Sequence, residues 1–364
     1  MSLPRRILFG ALALALLGAG LGFVFQSQLA TAMYERRVER QMSLDRIGDL
    51  PDGLHIAFCG TGSPLPDPSR APSCAVVIAG DRLFVVDSGA GSVSNLLLMG
   101  IPAGEIEAVL LTHFHSDHIG GLGDLALQRW IGTGHTEPLP VMGPPGVETV
   151  VAGFNQAYSL DATYRTGHHG EVIAPPSGFG MVAEPFNIAG YDQTAPTKLL
   201  ENGGLTIWAV AVDHAPVSPS VAYRFDYQGR SLVMSGDLVA EASPGFQALA
   251  AGADLLVVEA LQPRLLDFIN DGARARGNDR LDTIMTDIRD YHTTPEQAAV
   301  AASTAQAQAL VLNHIVPAVP SRSLNAAFLG DAAGAFSGPI RIAEDGLVVS
   351  LPAGDDTVSF QSWR

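Results

Sequence analysis

Three histidines and one aspartate stand within residues 112–118, directly after an apolar strand-like run. Because a strand directs alternate side chains to one face, His113 and His115 at its end can converge on one ion. Asp117 and His118 follow in the turn and can reach a second ion. Imidazole and carboxylate groups are ligands of zinc, iron and manganese, and this density argues against scattered surface histidines. The segment therefore predicts a metal centre.

Further ligands are needed, since this HxHxDH segment cannot complete two coordination spheres by itself. Three ligand-type residues elsewhere each follow an apolar strand-like segment, namely His214, Asp237 and His314. Proteins of the α/β class collect their active sites at the carboxyl ends of strands. Any one of the three alone would more often be a structural residue, but together we expect them to complete the centre.

Several short motifs accompany these ligands along residues 54–351. They are Gly60-Thr61-Gly62-Ser63-Pro64, Val86-Asp87-Ser88-Gly89, Ser235-Gly236-Asp237, His292-Thr293-Thr294 and Asn313-His314. With the HxHxDH segment, their order resembles the metallo-β-lactamase superfamily, and within it the branch of ribonuclease Z, related phosphodiesterases and arylsulfatases. The resemblance implies an α/β fold, the four-layer αββα sandwich, built from two similar halves.

The resemblance also implies a site for two divalent metal ions, with zinc as the first choice and manganese or iron as alternatives. The implied ligands are His113, His115 and His214 for one ion, Asp117, His118 and His314 for the other, and Asp237 as the bridge. A bridging carboxylate holds two ions about 3.5 to 4 Å apart, a separation that suits a shared hydroxide as the nucleophile. The implied activity is metal-dependent hydrolysis.

His292 is the candidate proton donor for the leaving group, because the resemblance gives its motif that role and lets Glu259 orient it. Asp117 is counted with them as a catalytic residue. The helix start after His292 is well marked, since Thr294 can act as N-cap and Gln297 can complete a capping box. The alternative for His292 is a ring packed beside that cap. Glu259 ends a buried strand and needs a partner under either interpretation.

Hydrophobic periodicity predicts the elements that carry these residues. The predicted strands are 54–58, 75–79, 82–86, 108–111, 139–142, 198–201, 205–212, 220–227, 231–234, 255–258, 309–312, 340–342 and 347–351, and the predicted helices are 92–99, 122–131, 146–160 and 295–305. The segment 144–195 should hold a helix and a covering loop. In that loop, Arg165, His168 and His169 are candidate substrate-binding residues, with a surface turn as the alternative.

Charge argues against a polyanionic substrate. The chain has 37 acidic and 21 basic residues and a net charge of -16, so its field should repel nucleic acid unless a local patch overrides it. Ribonuclease Z relatives often carry a tRNA-gripping arm near 144–195, which should be rich in Lys and Arg. Arg165 is the sole basic residue there.

The sequence therefore predicts that nucleic acid is not the substrate and favours a small ester, either a phosphodiester or an aryl sulfate. Three alternatives remain open. They are a lactonase or β-lactamase-like hydrolase, a ribonuclease Z-type endonuclease, and a binding module that keeps the fold without catalysis.

The first residues predict export, because Arg5-Arg6 precede the unbroken apolar run Ile7–Phe25. A helix of that length nearly spans a hydrocarbon core of about 30 Å, and Ala30-Thr31-Ala32 offers a cleavage site. A buried globular helix is the alternative. We expect 1–32 to be a signal peptide or, in preference, a retained membrane anchor, and 33–53 to be a connector. Residues 54–364 should form a catalytic domain in the periplasm, which a retained anchor would hold at the inner membrane.

Cys59 and Cys74 are the only cysteines, and they bracket the loop after the first strand. An oxidising compartment would allow a disulfide between them, whereas two free buried thiols are the alternative. Neither belongs to a metal-ligand spacing pattern. The oligomeric state stays open, and a homodimer is compatible with the sequence.

Overall fold

The computed structural model describes residues 25–190 and 194–364, together with the isolated positions 7, 10–12, 18 and 23. The chain divides into two units, Met1–Arg46 and Ile47–Arg364. The first unit contains helix α1 (Gln26–Met42), none of whose side chains is buried. Among the described residues, no helix has both the length and the apolar character to cross a membrane. Most of the apolar run Ile7–Phe25 lies outside the described residues.

The second unit alternates strands and helices along its length. Its strands are β1 (Gly53–Gly60), β2 (Cys74–Ala79), β3 (Arg82–Val86), β4 (Ile106–Leu110), β5 (Leu139–Gly143), β6 (Met181–Pro185), β7 (Thr197–Asn202), β8 (Leu205–His214), β9 (Val217–Tyr227), β10 (Arg230–Met234), β11 (Leu255–Leu261), β12 (Ala309–Val316), β13 (Ile340–Ile342), β14 (Leu347–Pro352) and β15 (Ser359–Ser362). Its α-helices are α2 (Ser92–Leu98), α3 (Ser116–Ile119), α4 (Leu122–Thr133), α5 (Val147–His169), α6 (Pro244–Ala250), α7 (Pro263–Arg274), α8 (Asp279–Asp287), α9 (Pro295–Ala305), α10 (Asn325–Leu329) and α11 (Ala332–Ala335).

The strands form two mixed sheets that pack face to face. The first has the strand order β15-β14-β1-β2-β3-β4-β5-β6, and the second has the order β13-β12-β11-β10-β9-β8-β7. Because side chains alternate along a strand, Leu54, Ile56 and Phe58 of β1 enter the core between the sheets, whereas Ala57 and Cys59 face the outer side. The two inner faces therefore share one apolar core.

Helices cover both outer faces of the sandwich. Leu96 of α2, Leu125 of α4 and Val151 of α5 pack on the first sheet. Phe246 of α6 and the alanines of α9, among them Ala298, pack on the second sheet, where the small side chains allow close approach. The predicted four-layer αββα sandwich is confirmed. Its parallel strand pairs β3–β4–β5 and β10–β11–β12 bring several strand ends to one edge.

Two helical regions differ from the sequence-based expectation. Helix α5 continues to His169, so the prediction of a loop that holds Arg165, His168 and His169 is wrong. The last turns of α5 are mostly exposed and lack the apolar periodicity that marks a buried helix face. Helices α7 and α8 were not predicted, and they form a helical hairpin, here called the α7–α8 hairpin. Leu266 and Met285 of the two helices meet in a small separate apolar cluster.

Cys59 and Cys74 form a disulfide between β1 and β2, with their Cα atoms 5.1 Å apart. Both residues are fully buried. The sequence left open a disulfide or two free buried thiols, and the structure contains the disulfide. The bond closes the base of the loop that carries Gly60 to Pro64.

Candidate metal centre

The HxHxDH segment is held in place by backbone contacts and by one buried carboxylate. Asp87 follows β3 with a φ of 57° and accepts hydrogen bonds from the Thr112 backbone N and Oγ1, both at 2.8 Å. It also accepts one from His118 Nδ1 at 2.8 Å. The His118 backbone N donates to the carbonyl of His115 at 3.0 Å as α3 begins. These hydrogen bonds position the loop after β4.

The seven residues considered as ligands lie together at the edge of the sandwich. Ligand atoms lie within 4.8 Å of one another in two groups, one of His113, His115, His214 and Asp237 and the other of Asp117, His118 and His314. From Asp237 Oδ2, the distances to Nε2 are 3.8 Å for His113, 3.9 Å for His214, 3.4 Å for His118 and 3.3 Å for His314. One carboxylate thus reaches both groups, as the bridging role requires.

The donor atoms suit a pair of divalent cations. His118 Nε2 and His214 Nε2 are buried and have no hydrogen-bond partner among the described residues. The other nitrogen of each ring is used, because His118 Nδ1 donates to Asp87 and His214 Nδ1 donates to the carbonyl of Tyr291 at 2.8 Å. Such outer hydrogen bonds fix the tautomer that directs a free Nε2 lone pair at a metal. These nitrogens therefore fit a metal ion better than a purely structural role.

The electrostatics of the centre divide its histidines into two groups, one with lowered and one with raised pKa values. Burial lowers the pKa of His214 to about 4 and that of His113 well below its usual value. Burial also opposes charge on His118 and His314, but the nearby carboxylates outweigh it, so the pKa of His118 lies well above its usual value and that of His314 rises to about 9. Although burial raises it, the pKa of Asp237 is held well below its usual range by the histidines around it.

A histidine–carboxylate pair stands beside these ligands. Glu259 Oε1 lies 2.9 Å from His292 Nδ1 and also accepts from the backbone N of Thr293 at 3.1 Å. The predicted capping box at the start of α9 is confirmed, since Thr294 Oγ1 accepts from the Gln297 N and Gln297 Oε1 accepts from the Thr294 N. His292 is therefore held from both sides, with one ring nitrogen fixed by Glu259.

A cleft of about 310 Å³ opens beside the centre. Its polar side is formed by His115, Asp117, Asp237, His292 and His314. Its apolar side is formed by Leu65, Ile284, Met285, Ile288, Tyr291 and Val316. This volume lies within the range of small-molecule and cofactor sites. The cleft can therefore hold a polar group against its polar side and an apolar group against its apolar side.

Two contributors to the site were not assigned by sequence reasoning. Asp87 orients His118, and its position after a buried strand was the available signal. Tyr291 contacts two histidines, with its ring centroid 5.0 Å from that of His214 and 4.6 Å from that of His292. Nothing in the sequence around Tyr291 indicates this contact, because it depends on how β8 meets the start of α9.

The three substrate-binding candidates on α5 are not brought to the cleft. Arg165 Nε pairs with Asp161 Oδ2 at 2.7 Å, one helical turn earlier. His168 and His169 lie exposed in the last turn of α5, with their ring centroids 4.7 Å apart. All three side chains are described by the structure, and none of them lines the cleft.

Known proteins resemble this chain along most of its length. The family model described as the metallo-beta-lactamase superfamily matches residues 68–295. A ribonuclease Z of Mycobacterium avium (strain 104) is 35% identical over 294 residues, which cover 80% of this chain and 96% of that protein. A ribonuclease Z of Mycobacterium bovis (strain BCG / Pasteur 1173P2) is 36% identical over 295 residues, which cover 80% of this chain and 96% of that protein.

The chain therefore belongs to the metallo-beta-lactamase superfamily, as a metal-dependent hydrolase of its ribonuclease Z branch. Among solved structures, the short form of human tRNase Z has a TM-score of 0.57 at 24% identity, with 82% of this chain and 99% of that chain covered. The metallo-beta-lactamase fold protein YhfI from Bacillus subtilis has the same TM-score and identity, and the match covers 82% of this chain and 100% of that chain. These structural likenesses establish the fold, and the fold implies divalent metal ions.

The relatives correct the predicted substrate. The prediction of a small phosphodiester or aryl sulfate substrate, with nucleic acid excluded, is wrong, because the relatives that cover 80% of the chain are named ribonuclease Z. The error has a physical reason. A net charge of -16 is a sum over the whole chain and does not report where unpaired positive charges lie.

The predicted location is corrected by the same relatives. The expectation of an exported, periplasmic enzyme is wrong, since the relatives along most of the chain are named for a ribonuclease. An apolar run near the start of a chain reports hydrophobicity alone, and hydrophobicity does not by itself establish export. The boundaries drawn at 32 and 53 stay predictions.

Proposed function

We propose that this chain is an endoribonuclease of the ribonuclease Z type, which hydrolyses phosphodiester bonds in RNA. One observation carries the proposal. The His292–Glu259 pair stands beside the bridging carboxylate, and a ring nitrogen of His292 lies within 4.8 Å of ligand atoms of Asp237 and His314. A proton donor at this position suits a poor leaving group, such as the ribose oxygen of RNA. The names of the relatives support RNA as the substrate.

The ligand set is proposed to hold two divalent cations, with zinc as the first choice. When bound, such ions lend positive charge to the phosphate and supply an activated water as nucleophile. The protein's part is to fix the ligands, because Asp87 orients His118 and the Tyr291 carbonyl orients His214. Histidine nitrogen and carboxylate oxygen are both common zinc ligands.

His292 is proposed to deliver the proton to the leaving oxygen from Nε2. Glu259 accepts the hydrogen bond from Nδ1, so the Nε2 atom is the one left for the substrate. Glu259 is itself fixed, since Oε1 also accepts from the backbone N of Leu238 at 3.3 Å and from that of Thr293. The pair therefore needs little rearrangement when substrate arrives.

The apolar side of the cleft is proposed to contact the nucleoside next to the scissile phosphate. Leu65, Ile284, Ile288 and Tyr291 present apolar surface there, while the ligands face the opposite side. Unpaired bases in RNA are commonly recognised by stacking on aromatic side chains. A phosphate at the ligands with its base against Tyr291 satisfies both sides of the cleft.

The test uses the full-length protein with its metal content measured first. We expect a transcribed precursor tRNA to be cut at a defined position, and DNA of the same sequence to be left intact. His115→Ala should remove the cleavage while the circular dichroism spectrum stays unchanged. Metal-loaded protein that leaves several structured RNAs intact would contradict the proposal.

A further inference from the structure

Unpaired positive charge is unevenly distributed over this acidic protein. In the unit Ile47–Arg364, most basic side chains form ion pairs with carboxylates, as Arg165 does with Asp161. The exceptions among the described residues of this unit are Arg129, Arg264, Arg276, Arg280 and Arg341. Arg129 is buried and donates to backbone carbonyls, so it is not available to a partner. Three of the remaining four stand on the α7–α8 hairpin.

Hydrogen bonds between its two helices hold the α7–α8 hairpin together and so position these side chains. Asn270 of α7 is buried and donates from Nδ2 to the Asp282 carbonyl at 2.9 Å and to its Oδ1 at 2.6 Å. Arg274 Nε donates to Asp282 Oδ2 at 3.0 Å, and Arg289 Nη2 donates to Asn270 Oδ1 at 2.6 Å. These bonds join the two helices above the apolar cluster that contains Met285.

Helix α8 leads from the tip of the hairpin into the catalytic cleft. Arg280, Ile284 and Ile288 follow one another at intervals of four residues, so they lie along one face of the helix. Ile284 and Ile288 line the cleft, and Ile284 is 50% exposed. Arg280 therefore lies about 6 Å along the helix axis from the rim of the cleft. It makes no hydrogen bond or ion pair with another described side chain.

We propose that the tip of the α7–α8 hairpin, defined by Arg276 and Arg280, binds the phosphate backbone of the RNA outside the cleft. The proposal rests on the function proposed above and names a binding surface for that substrate. Charge complementarity and the direct path along α8 argue for a polyanion. Arg276 is exposed, and among the described residues its side chain makes one hydrogen bond, from Nη1 to the carbonyl of Gly272 at 3.0 Å. Helix α5 lies in the part of the chain where ribonuclease Z relatives often carry a basic arm, and it offers only the neutralised Arg165.

Residues 263–290 hold six aspartates against five arginines, so the hairpin as a whole is not positive and the proposal concerns its tip alone. Asp287 and Asp290 stand near Ile288, away from the tip, and have no basic partner among the described residues. Asp267, Asp271 and Asp282 are paired with Arg289 or Arg274. Asp279 stands next to Arg280 in the first turn of α8 and has no basic partner among the described residues. RNA bound at the tip would therefore be repelled by Asp279, and removal of that charge should strengthen binding.

The test measures RNA binding by fluorescence anisotropy across a salt series, together with hydrolysis of bis(4-nitrophenyl) phosphate. Arg280→Ala should weaken RNA binding and reduce the slope of log Kd against log salt by about 0.7 to 0.9, the value expected for one phosphate contact. The double variant with Arg276→Ala should lose about twice that slope. Turnover of the small phosphodiester should stay unchanged.

Arg341→Ala is the matched control, because Arg341 is exposed, has no carboxylate partner and stands on β13, which does not line the cleft. It should change binding little, and Asp279→Asn should tighten binding. Equal effects of Arg280→Ala and Arg341→Ala would overturn the proposal, since the loss would then follow net charge alone. If wild-type protein neither binds nor cuts RNA, the proposed function itself fails, which is a separate result.

Discussion

The metal centre and the α7–α8 hairpin border the same cleft, yet they are built in opposite ways. The centre is buried, and its side chains follow strands β4, β8, β10 and β12 of both sheets. The hairpin is one local segment with its own small apolar cluster, and its arginines are exposed. Geometry at the centre is fixed by the whole fold, whereas geometry at the hairpin is fixed by a few cross-helix hydrogen bonds.

This difference separates chemistry from substrate capture. A change at the centre should reduce turnover of every substrate, because all reactions there share the same ligands. A change at the hairpin should affect RNA alone, since a small phosphodiester does not extend beyond the cleft. The following variants test that separation.

The largest effect is expected from His115→Ala and Asp237→Asn, each of which removes a proposed metal ligand. We expect both to abolish hydrolysis of RNA and of bis(4-nitrophenyl) phosphate, while the fold is largely preserved. Metal analysis of the purified variants should show reduced content. Full activity in either variant would refute the ligand assignment.

His292→Ala should come next, with a loss of about 10²- to 10⁴-fold in kcat on RNA. The loss should be much smaller for a nitrophenyl ester, because its leaving group needs no proton. Parallel kinetics on the two substrates give the comparison. Equal losses on both would remove His292 from the role of acid and leave it a structural part of the centre.

Asp87→Asn should have an intermediate effect, since it weakens the support of His118 without removing a ligand. Outer partners of metal-bound histidines typically contribute about 10- to 100-fold in metal affinity. A chelator titration monitored by residual activity measures the shift. Unchanged sensitivity to the chelator would show that Thr112 and the backbone hold the loop without this carboxylate.

Asn270→Ala should have the smallest effect on the chemistry and act through the hairpin. Loss of the buried amide removes its hydrogen bonds with Asp282 and Arg289, which costs about 1 to 3 kcal/mol and favours local opening. Hydrogen exchange should speed up across residues 263–290 but not in the sheets, and KM for RNA should rise. Uniform exchange throughout the protein would argue against a hairpin that opens independently.

The sequence predicted the sandwich, and it named residues that the structure brings together at the candidate centre, because both depend on local signals. Strand ends are marked by the change from apolar to polar residues, and ligand types such as His113 and Asp237 stand at those ends. The capping box at Thr294 depends on two residues three positions apart, so it was predicted correctly. Contacts that depend on the tertiary structure, such as that of Tyr291 with His214, have no local sequence pattern from which they could be predicted.

The prediction of the substrate failed for a related reason. The sequence counts charged residues, but it does not show which are neutralised, because pairing depends on the fold. Arg165 and Arg280 look alike in the sequence, yet one is paired with Asp161 and the other is free. The hairpin itself was missed although α7 has a strongly amphipathic pattern with Pro263 at its first position.

The origin of the ligands has a thermodynamic consequence. One sheet contributes the HxHxDH segment after β4, and the other contributes His214, Asp237 and His314. If these groups bind cations as proposed, each ion cross-links the two halves of the sandwich and binds the folded state alone. A free ion concentration of 100 times its Kd would then add about 2.7 kcal/mol to the free energy of unfolding. The melting temperature should consequently follow the metal supply, even in a catalytically silent variant that keeps every ligand.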